Sequence, residues 1–439
     1  MTGRRMAAEE MMSMYLSEKI MKEMRRRRRD FHKYPESGWT EFRTTALAAQ
    51  ILESLGWKLT FASELIRAED VMGRNIDAEA ERRRAIAQGA EPLTVARIGE
   101  YTGLIAELDT GREGPLTALR FDIDCVETEE AEDAGHLPAR EGFRSVNRGR
   151  MHACGHDGHT AIGLALAELA AEAREALRGK IRLIFQPAEE GVRGGYALSS
   201  AGAAEGADYF IAMHLGMGLP TGHICGGTHG FLCSTKFDAD FRGIGAHAGS
   251  EPERGRNALL AAASAALNIQ AIAPHSGGAT RVNVGRLDAG TGRNVVPPRA
   301  HMEAEARGES GELAAYVYGR AKEIIHGAAE MYGVEAAITK QGETVSAASD
   351  EALAALVAEE AASVKGAARR DIDRAASGSD DACWFMRRVQ ERGGLATYIG
   401  IGADTAAGHH NDRFDFDEKA MDIALELLFK CLLRIGGRR

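Results

Sequence analysis

Missing first of all is any apolar run long enough to span a membrane, and the N-terminus also lacks the short apolar core of a secretory leader. The expectation is therefore a soluble, cytoplasmic protein. An excess of positive charge is missing too. The 54 Lys and Arg stand against 64 Asp and Glu, a formal net charge of −10, which argues against nucleic acid or an anionic membrane as partner. The one basic cluster, Arg25–Arg29, lies in a polar helical stretch from Met11 to Asp30 and reads as a solvated helix face. Cysteines number only six and follow no disulfide framework, as expected of reduced thiols in the cytoplasm. A serine nucleophile elbow and a Walker loop are absent, and the segments starting at Gly243 and Gly400 lack the third glycine of a dinucleotide loop.

What is present is an ordinary globular composition, 44% hydrophobic and 27% charged, in 439 residues. That length exceeds one typical core, so two domains are expected. Residues 43–56 pattern as an amphipathic helix, and 64–91 as a charged helical insertion or exposed cover. Short apolar runs then alternate with helices: strands at 116–121, 181–185 and 209–213, and an apolar helix at 160–177. Between 233 and 344 the order becomes strand, helix, two strands, helix, strand, with alternating polarity in the strands. A strand at 396–401 and a helix at 419–435 close the chain. The fold class is α/β. A mixed, largely parallel sheet flanked by helices is expected from 1–232 and 345–439, with an inserted α+β unit, an antiparallel sheet plus two helices, at 233–344.

Residues 151–159, Met-His-Ala-Cys-Gly-His-Asp-Gly-His, pack one thiol and three imidazoles into nine positions. Cys154 and His156 sit two apart, where a turned backbone can aim both at one point, and borderline-soft divalent metals prefer these ligands. A structural zinc site would want a second Cys/His pair downstream, and would unfold on chelation. The chain instead offers Pro187-Ala188-Glu189-Glu190, a lone His214, and Gly408-His409-His410. Asp122 and Asp124, the glutamate pair, His214 and His410 all follow expected strands, and loops at the carboxyl ends of parallel strands form the ligand crevice. A scattered, mixed donor set suggests an open catalytic centre. Adjacent residues at a strand end point in different directions, so one glutamate can ligate metal while the other serves as general base toward water and a leaving amine. His247, between small residues in the inserted unit, suits a lid that donates to a developing oxyanion. Asn294 and Arg307 are weaker candidates for binding a substrate carboxylate, and for Arg307 a surface ion pair is an equal reading.

These segments resemble the metal-dependent amidohydrolase branch that includes hippurate and indoleacetyl-amino-acid hydrolases, within the aminoacylase and carboxypeptidase G superfamily. The matches are Arg28 to His32 with Pro35-Glu36, Arg120 to Asp124, Met151 to Thr160, Phe185 to Gly191, His214 to Gly216, Ala246 to Ala248, Asn294 to Pro297, and His410 with Phe414 and Asp417-Glu418. They run through nearly the whole chain in the family's order. The resemblance implies two divalent metal ions per subunit, manganese or zinc, held by Cys154, His156, Glu190, His214 and His410, with Glu189 as general base. His410 is preferred to His409 because the family spaces its ligand four residues before the Phe matched by Phe414. Asp124 matches an aspartate that orients a metal ligand, and Asp157 is a further supporting candidate, as are His152 and His159. A lid that also mediates homodimerisation is implied, with His247 reaching the partner subunit's site. The Tyr34–Thr44 segment, the charged insertion, Ala407–Asn411 and Phe414–Glu418 are most similar to members of the branch that cleave p-aminobenzoyl-glutamate. The expected reaction is hydrolysis of that amide to p-aminobenzoate and glutamate, with a related B subunit as an alternative partner. Two rival expectations stand beside it: a general N-acyl or N-aroyl amino acid hydrolase of the hippurate type, and a non-catalytic subunit lending its lid to an active paralogue.

Overall fold

The computed structural model describes residues 15–376 and 378–437. The start of the helix expected from Met11 lies outside the described residues; the observed helix spans Glu18–Lys33, with the Ser17 hydroxyl accepting the Ile20 N–H at 3.3 Å. The strands are β1 (Lys58–Phe61), β2 (Leu104–Asp109), β3 (Leu116–Asp122), β4 (Lys180–Gln186), β5 (Tyr209–Leu215), β6 (His223–Cys225) and β7 (Thr228–His229). They continue with β8 (Cys233–Arg242), β9 (Thr280–Ala289), β10 (Arg299–Gly308), β11 (Glu335–Thr344), β12 (Arg369–Asp371), β13 (Arg374–Ala375) and β14 (Leu395–Ile401).

Eight of them form one sheet in the order β1-β2-β4-β3-β5-β14-β6-β12, while β7 and β13 pair separately. The centre, β4-β3-β5-β14, is parallel; β2 and β6 run antiparallel to it. The sheet is therefore mixed and largely parallel, as the sequence implies. The central strands are near-continuous apolar runs because helices cover both faces and both sets of alternating side chains are buried. The helix His156–Glu172 lies against β3 and β4. Its Leu164, Leu166 and Leu169 are fully buried, each contributing about 1.5–3 kcal/mol relative to exposure. Gly163 lets it approach closely: a Cβ there would lie 2.8 Å from the Phe121 ring. Among the described residues no helix is long and apolar enough to cross a membrane.

The second sheet has the order β11-β8-β10-β9, antiparallel throughout, and two helices, Ala258–Gln270 and Gly311–Tyr332, cover one face. Along β8, Phe237, Ala239 and Phe241 point into that helical layer, so the intervening Lys236, Asp238 and Asp240 occupy the opposite, open face.

Two readings of charged segments need correction. The arginine run is not a solvated face. Arg28 is 0% exposed and pairs with Asp157 (2.8 Å) and Asp415 (2.6 Å), while Arg27 reaches Glu168 (2.5 Å) and Arg29 reaches Glu418 (2.8 Å). The charged insertion, too, is more than an exposed cover. It comprises a 3-10 turn, Ala68–Asp70, and the helix Ala78–Ala87. Its Arg84 donates to buried Glu36 (3.0 Å), and its Met72 and Gly73 carbonyls accept from Trp39 Nε1 (2.9 Å) and Arg193 Nη1 (3.2 Å).

Candidate active site

The strand order reverses at β3, which pairs with β4 on one side and β5 on the other, and the carboxyl edge at such a switch point is where a crevice opens. Asp122 and Asp124 leave β3 there, Glu189 and Glu190 follow β4, His214 ends β5, and His409-His410 follow β14. Cys154 arrives just ahead of the helix His156–Glu172, which starts after Gly155 at φ 95°. His156 and His159, three apart in its first turn, share a face, with ring centroids 5.4 Å apart.

Hydrogen bonds decide which of these imidazoles can bind a cation. His214 Nδ1–H donates to the Leu215 carbonyl (2.7 Å), leaving Nε2 as a lone pair 3.5 Å from Cys154 Sγ. His156 Nδ1–H donates to the Asp124 carbonyl (3.0 Å), with Asp124 Oδ1 at 3.3 Å, and its Nε2 is buried without a hydrogen-bond partner. Asp124 thus orients His156, and its Oδ2 also accepts the Glu190 N–H (2.8 Å). His410 Nε2 lies 3.3 Å from Glu190 Oε1. Candidate donor atoms fall within 4.8 Å of one another in two sets that share the thiol, Cys154-His156-His214 and Cys154-Glu190-His410. A third, His156-Glu189-Glu190, joins them. His159 is close enough to count, but both its nitrogens are engaged: Nδ1 with Asp122 Oδ1 (2.5 Å), and Nε2 accepting the Leu215 N–H (3.0 Å). His159 is therefore structural, and so is Asp157, which turns away to Arg28 and His32. Burial pushes the His152 pKa down to about 3 and keeps that ring neutral.

The residues present fit a divalent metal. An orphaned buried imidazole nitrogen costs about 1–3 kcal/mol, which a coordinated cation would remove. Burial, together with the Glu190 charge, pushes the Cys154 thiol up, so thiolate at neutral pH requires a cation beside it.

The glutamate loop is strained and over-determined. Ala188 (φ 53°) and Val192 (φ 56°) are left-handed, which is costly for a β-branched residue. Holding them are Glu41 Oε1, which accepts the Ala188 N–H (2.8 Å), the Ala188 carbonyl, which accepts the Gly194 N–H (2.8 Å), and the Val192 carbonyl, which accepts the Glu343 N–H from β11 (2.9 Å). Behind Glu189 lies a cluster that sequence reasoning missed, Asp380 and Asp381 around Arg120. Burial, with Asp380, Glu190 and Asp381 nearby, holds the Glu189 carboxyl well above the usual carboxylate range. His409, which family spacing sets aside, also reaches the site: its Nδ1 sits 3.6 Å from Cys154 Sγ and its Nε2 accepts the Met217 N–H at 3.4 Å.

The three candidates in the inserted unit do not converge within one chain. His247 and Asn294 meet at one tip, where His247 bridges Val295 and the Ala248 N–H donates to the Asn294 carbonyl (3.0 Å). Both side chains are exposed. Arg307 lies at the other end of β10, eight positions from Arg299, or about 27 Å along a strand. Its guanidinium forks onto Glu305 (3.1 and 3.0 Å).

A parallel-sheet edge that gathers thiol, imidazole and carboxylate donors beside a buried basic carboxylate defines a metal-dependent hydrolase of amides. The chain belongs to peptidase family M20/M25/M40, whose model matches residues 118–434. It is 49% identical over 425 residues to the indole-3-acetyl-aspartic acid hydrolase of Enterobacter agglomerans, covering 96% of this chain and 97% of that one. It is 48% identical over 417 residues to the A subunit of the p-aminobenzoyl-glutamate hydrolase of Escherichia coli, covering 94% and 95% respectively. Among solved structures it is similar to an aminobenzoyl-glutamate utilization protein from Klebsiella pneumoniae, with TM-score 0.80, 41% identity, and 95% and 96% of the two chains covered.

Proposed function

We propose that this chain hydrolyses the amide of p-aminobenzoyl-glutamate to p-aminobenzoate and glutamate. The observation that carries this reading is Glu189, a buried carboxylate of raised basicity whose Oε2 lies 3.9 Å from His156 Nε2, beside rather than within the two sets of donors that share Cys154. The relatives' names support the substrate class, since both describe an aromatic acyl group joined to an acidic amino acid.

Cys154, His156, Glu190, His214 and His410 would hold two divalent ions, manganese or zinc. When bound, these ions polarise the amide carbonyl and lower the pKa of water. Glu189 takes a proton from the attacking water and passes it to the departing amine. Asp124 keeps His156 in the tautomer that leaves Nε2 free. His247 Nδ1 accepts the N–H groups of Gly249 and Ser250 (both 3.1 Å), so its Nε2 carries the proton and can donate to the carbonyl oxygen. The exposed position of His247, far from Arg307, supports delivery to the other subunit of a homodimer built through residues 233–344, or of a heteromer with a related B subunit. Arg307 binds the substrate α-carboxylate, and Asn294, at the His247 tip, is a carboxylate-binding candidate delivered with His247 from the other subunit. All six cysteines are free, which supports the reducing cytoplasm as the compartment.

A second reading has its own support: the indole-3-acetyl-aspartate hydrolase is as similar as the p-aminobenzoyl-glutamate enzyme. One experiment addresses both. Wild type and Glu189→Gln are assayed on p-aminobenzoyl-glutamate, indole-3-acetyl-aspartate and benzoyl-glycine, with metal content measured in parallel. Wild type is expected to favour p-aminobenzoyl-glutamate, and the variant to lose turnover while keeping about two metal ions per subunit. Retained turnover in the variant removes Glu189 from the mechanism, and a strong preference for benzoyl-glycine overturns the substrate.

A further inference from the structure

The open face of the second sheet is charged unevenly. Inward of Arg242 and Arg299, which oppose each other at the far end, the groups are matched: His301 pairs with Asp240 (2.9 Å), Arg286 with Glu303 (3.0 Å), and Gln341 donates to Asp238 (2.5 Å). Toward the opposite end, Lys236, Arg281 and Arg307 gather around Glu305. Register places them there: Lys236 faces Glu305, and Arg307 is flanked directly by Arg281 on β9. Directly opposed like charges destabilise a sheet pair, so Arg281 beside Arg307 is a cost the fold alone does not explain. Lys236 Nζ is 4.0 Å from Glu305 Oε2, whose carboxylate the Arg307 fork already holds. Among the described residues, three cations here stand beside one carboxylate, in a chain whose formal net charge is −10.

This end of the sheet adjoins the glutamate loop. Lys236 is the cross-strand partner of Gly342 on β11, and Gly342 packs so closely on the loop that a Cβ there would stand 2.1 Å from the Gly191 carbonyl oxygen. Gly191 follows Glu190 directly. Paired Cα atoms lie only about 5 Å apart, so the Lys236 stem rises one strand away from that contact.

We propose that Lys236 binds the side-chain carboxylate of a dicarboxylic amino-acid moiety, beside Arg307 on the α-carboxylate, and so sets a preference for glutamate or aspartate conjugates over neutral ones. This rests on the amide-hydrolase reading above and adds the group that selects the amino-acid half. Glu305 holds the place between the two cations and yields one hydrogen-bonding edge of Arg307 to the ligand. Arg281 adds field rather than contact, being one strand further from the loop.

The test compares p-aminobenzoyl-glutamate with p-aminobenzoyl-glutamine, which keeps the α-carboxylate and the size but loses the second charge. Wild type is expected to favour the glutamate conjugate in kcat/KM. In Lys236→Met that preference falls roughly 10- to 100-fold, the value of one charge-assisted hydrogen bond, and Lys236→Arg restores most of it. Inhibition by free glutamate weakens in Lys236→Met relative to inhibition by glutamine. A preference within threefold of wild type in Lys236→Met, or a wild type that favours the glutamine conjugate, overturns the assignment. Wild type inert on both conjugates overturns the functional reading and this inference with it, whereas active wild type with an unmoved preference in the variant overturns the inference alone. Thermal unfolding of each variant confirms that the exchange at this half-exposed position leaves the fold intact.

Discussion

Replacing Arg120 with Met asks how the buried acids behind Glu189 are tolerated. The Arg120 guanidinium is fully buried and contacts Asp122 (2.5 Å), Asp381 (3.0 Å), Asp380 (3.4 Å) and Gln186 Oε1 (2.7 Å). Asp380 also accepts the Tyr398 O–H (2.5 Å), and Asp381 accepts N–H groups from Gln186 (2.8 Å) and Gly195 (2.7 Å). Methionine fills similar space but leaves these carboxylates with hydrogen bonds alone. Removing one partner of a buried ion pair costs about 3–5 kcal/mol, against about 0–1 kcal/mol at a surface. Burial, then Asp380, already push Asp381 up to about 7 against the opposing pull of Arg120. A raised carboxyl pKa favours the folded state at low pH and is a burden above the folded value. The damage in Arg120→Met should therefore be full at pH 8 and smaller at pH 5.5, where Asp381 can take a proton. Denaturant unfolding at both pH values measures this. Adding Asp381→Asn to Arg120→Met should recover part of the loss at pH 8, because it deletes one stranded charge. A single variant within 1 kcal/mol of wild type at pH 8, or a double variant no better than the single, would refute the reasoning.

Two further substitutions probe the surroundings of the site. Burial opposes charge on His32, but hydrogen bonds with Asp157 and Glu130, both at 2.9 Å, raise its pKa to about 9. The folded value exceeds the ordinary one, so this stabilisation, about 3 kcal/mol at most, is complete below pH 6.5 and drains away as pH rises through 9. Stability measured from pH 6 to 9.5 should fall less steeply in His32→Gln, and parallel curves would remove His32 as the cause. In Gly342→Ala the new methyl must displace the Gly191 carbonyl at 2.1 Å and disturb the Glu343-to-Val192 hydrogen bond. A shift of about 1 Å at a catalytic loop can cost 100-fold, so kcat should drop at least tenfold with metal content unchanged; an unaltered kcat would uncouple β11 from Glu189.

Much of the fold was legible because its signals are local. The central strands read as continuous apolar runs, and β8 and β10 read as alternations with one face on helices. The candidate donors Glu189, Glu190, His214 and His410 were legible from residue type and position after those strands, and Cys154 and His156 from their spacing. The acids behind it were not. Gly378-Ser379-Asp380-Asp381 looks like a solvated turn, and the cation that makes it a buried cluster comes from β3, 261 positions away from Asp381. The Arg25–Arg29 run misled for the same reason, since composition gives its charge while the partners Asp157, Asp415 and Glu418 are supplied by the tertiary fold.

His409 and His410 show how neighbours at one loop divide the work. The His410 N–H donates to the Ala153 carbonyl (2.8 Å), tying this loop to the residue before Cys154. His410 then adopts φ 66°, a left-handed conformation that histidine accepts more readily than most residues. The turn sends the two imidazoles in different directions. His409 packs edge-on to His214 with centroids 5.3 Å apart, spends Nε2 on the Met217 N–H, and so presents Nδ1–H to the Cys154 sulfur. A ring bonded at both nitrogens has no lone pair to give, but its proton can stabilise a thiolate at Cys154. His410, with 54% of its side chain exposed, keeps Nε2 beside Glu190. The hydrogen bonds therefore favour His410 as ligand and His409 as the donor that tunes the thiolate, a division that family spacing alone leaves without a physical reason.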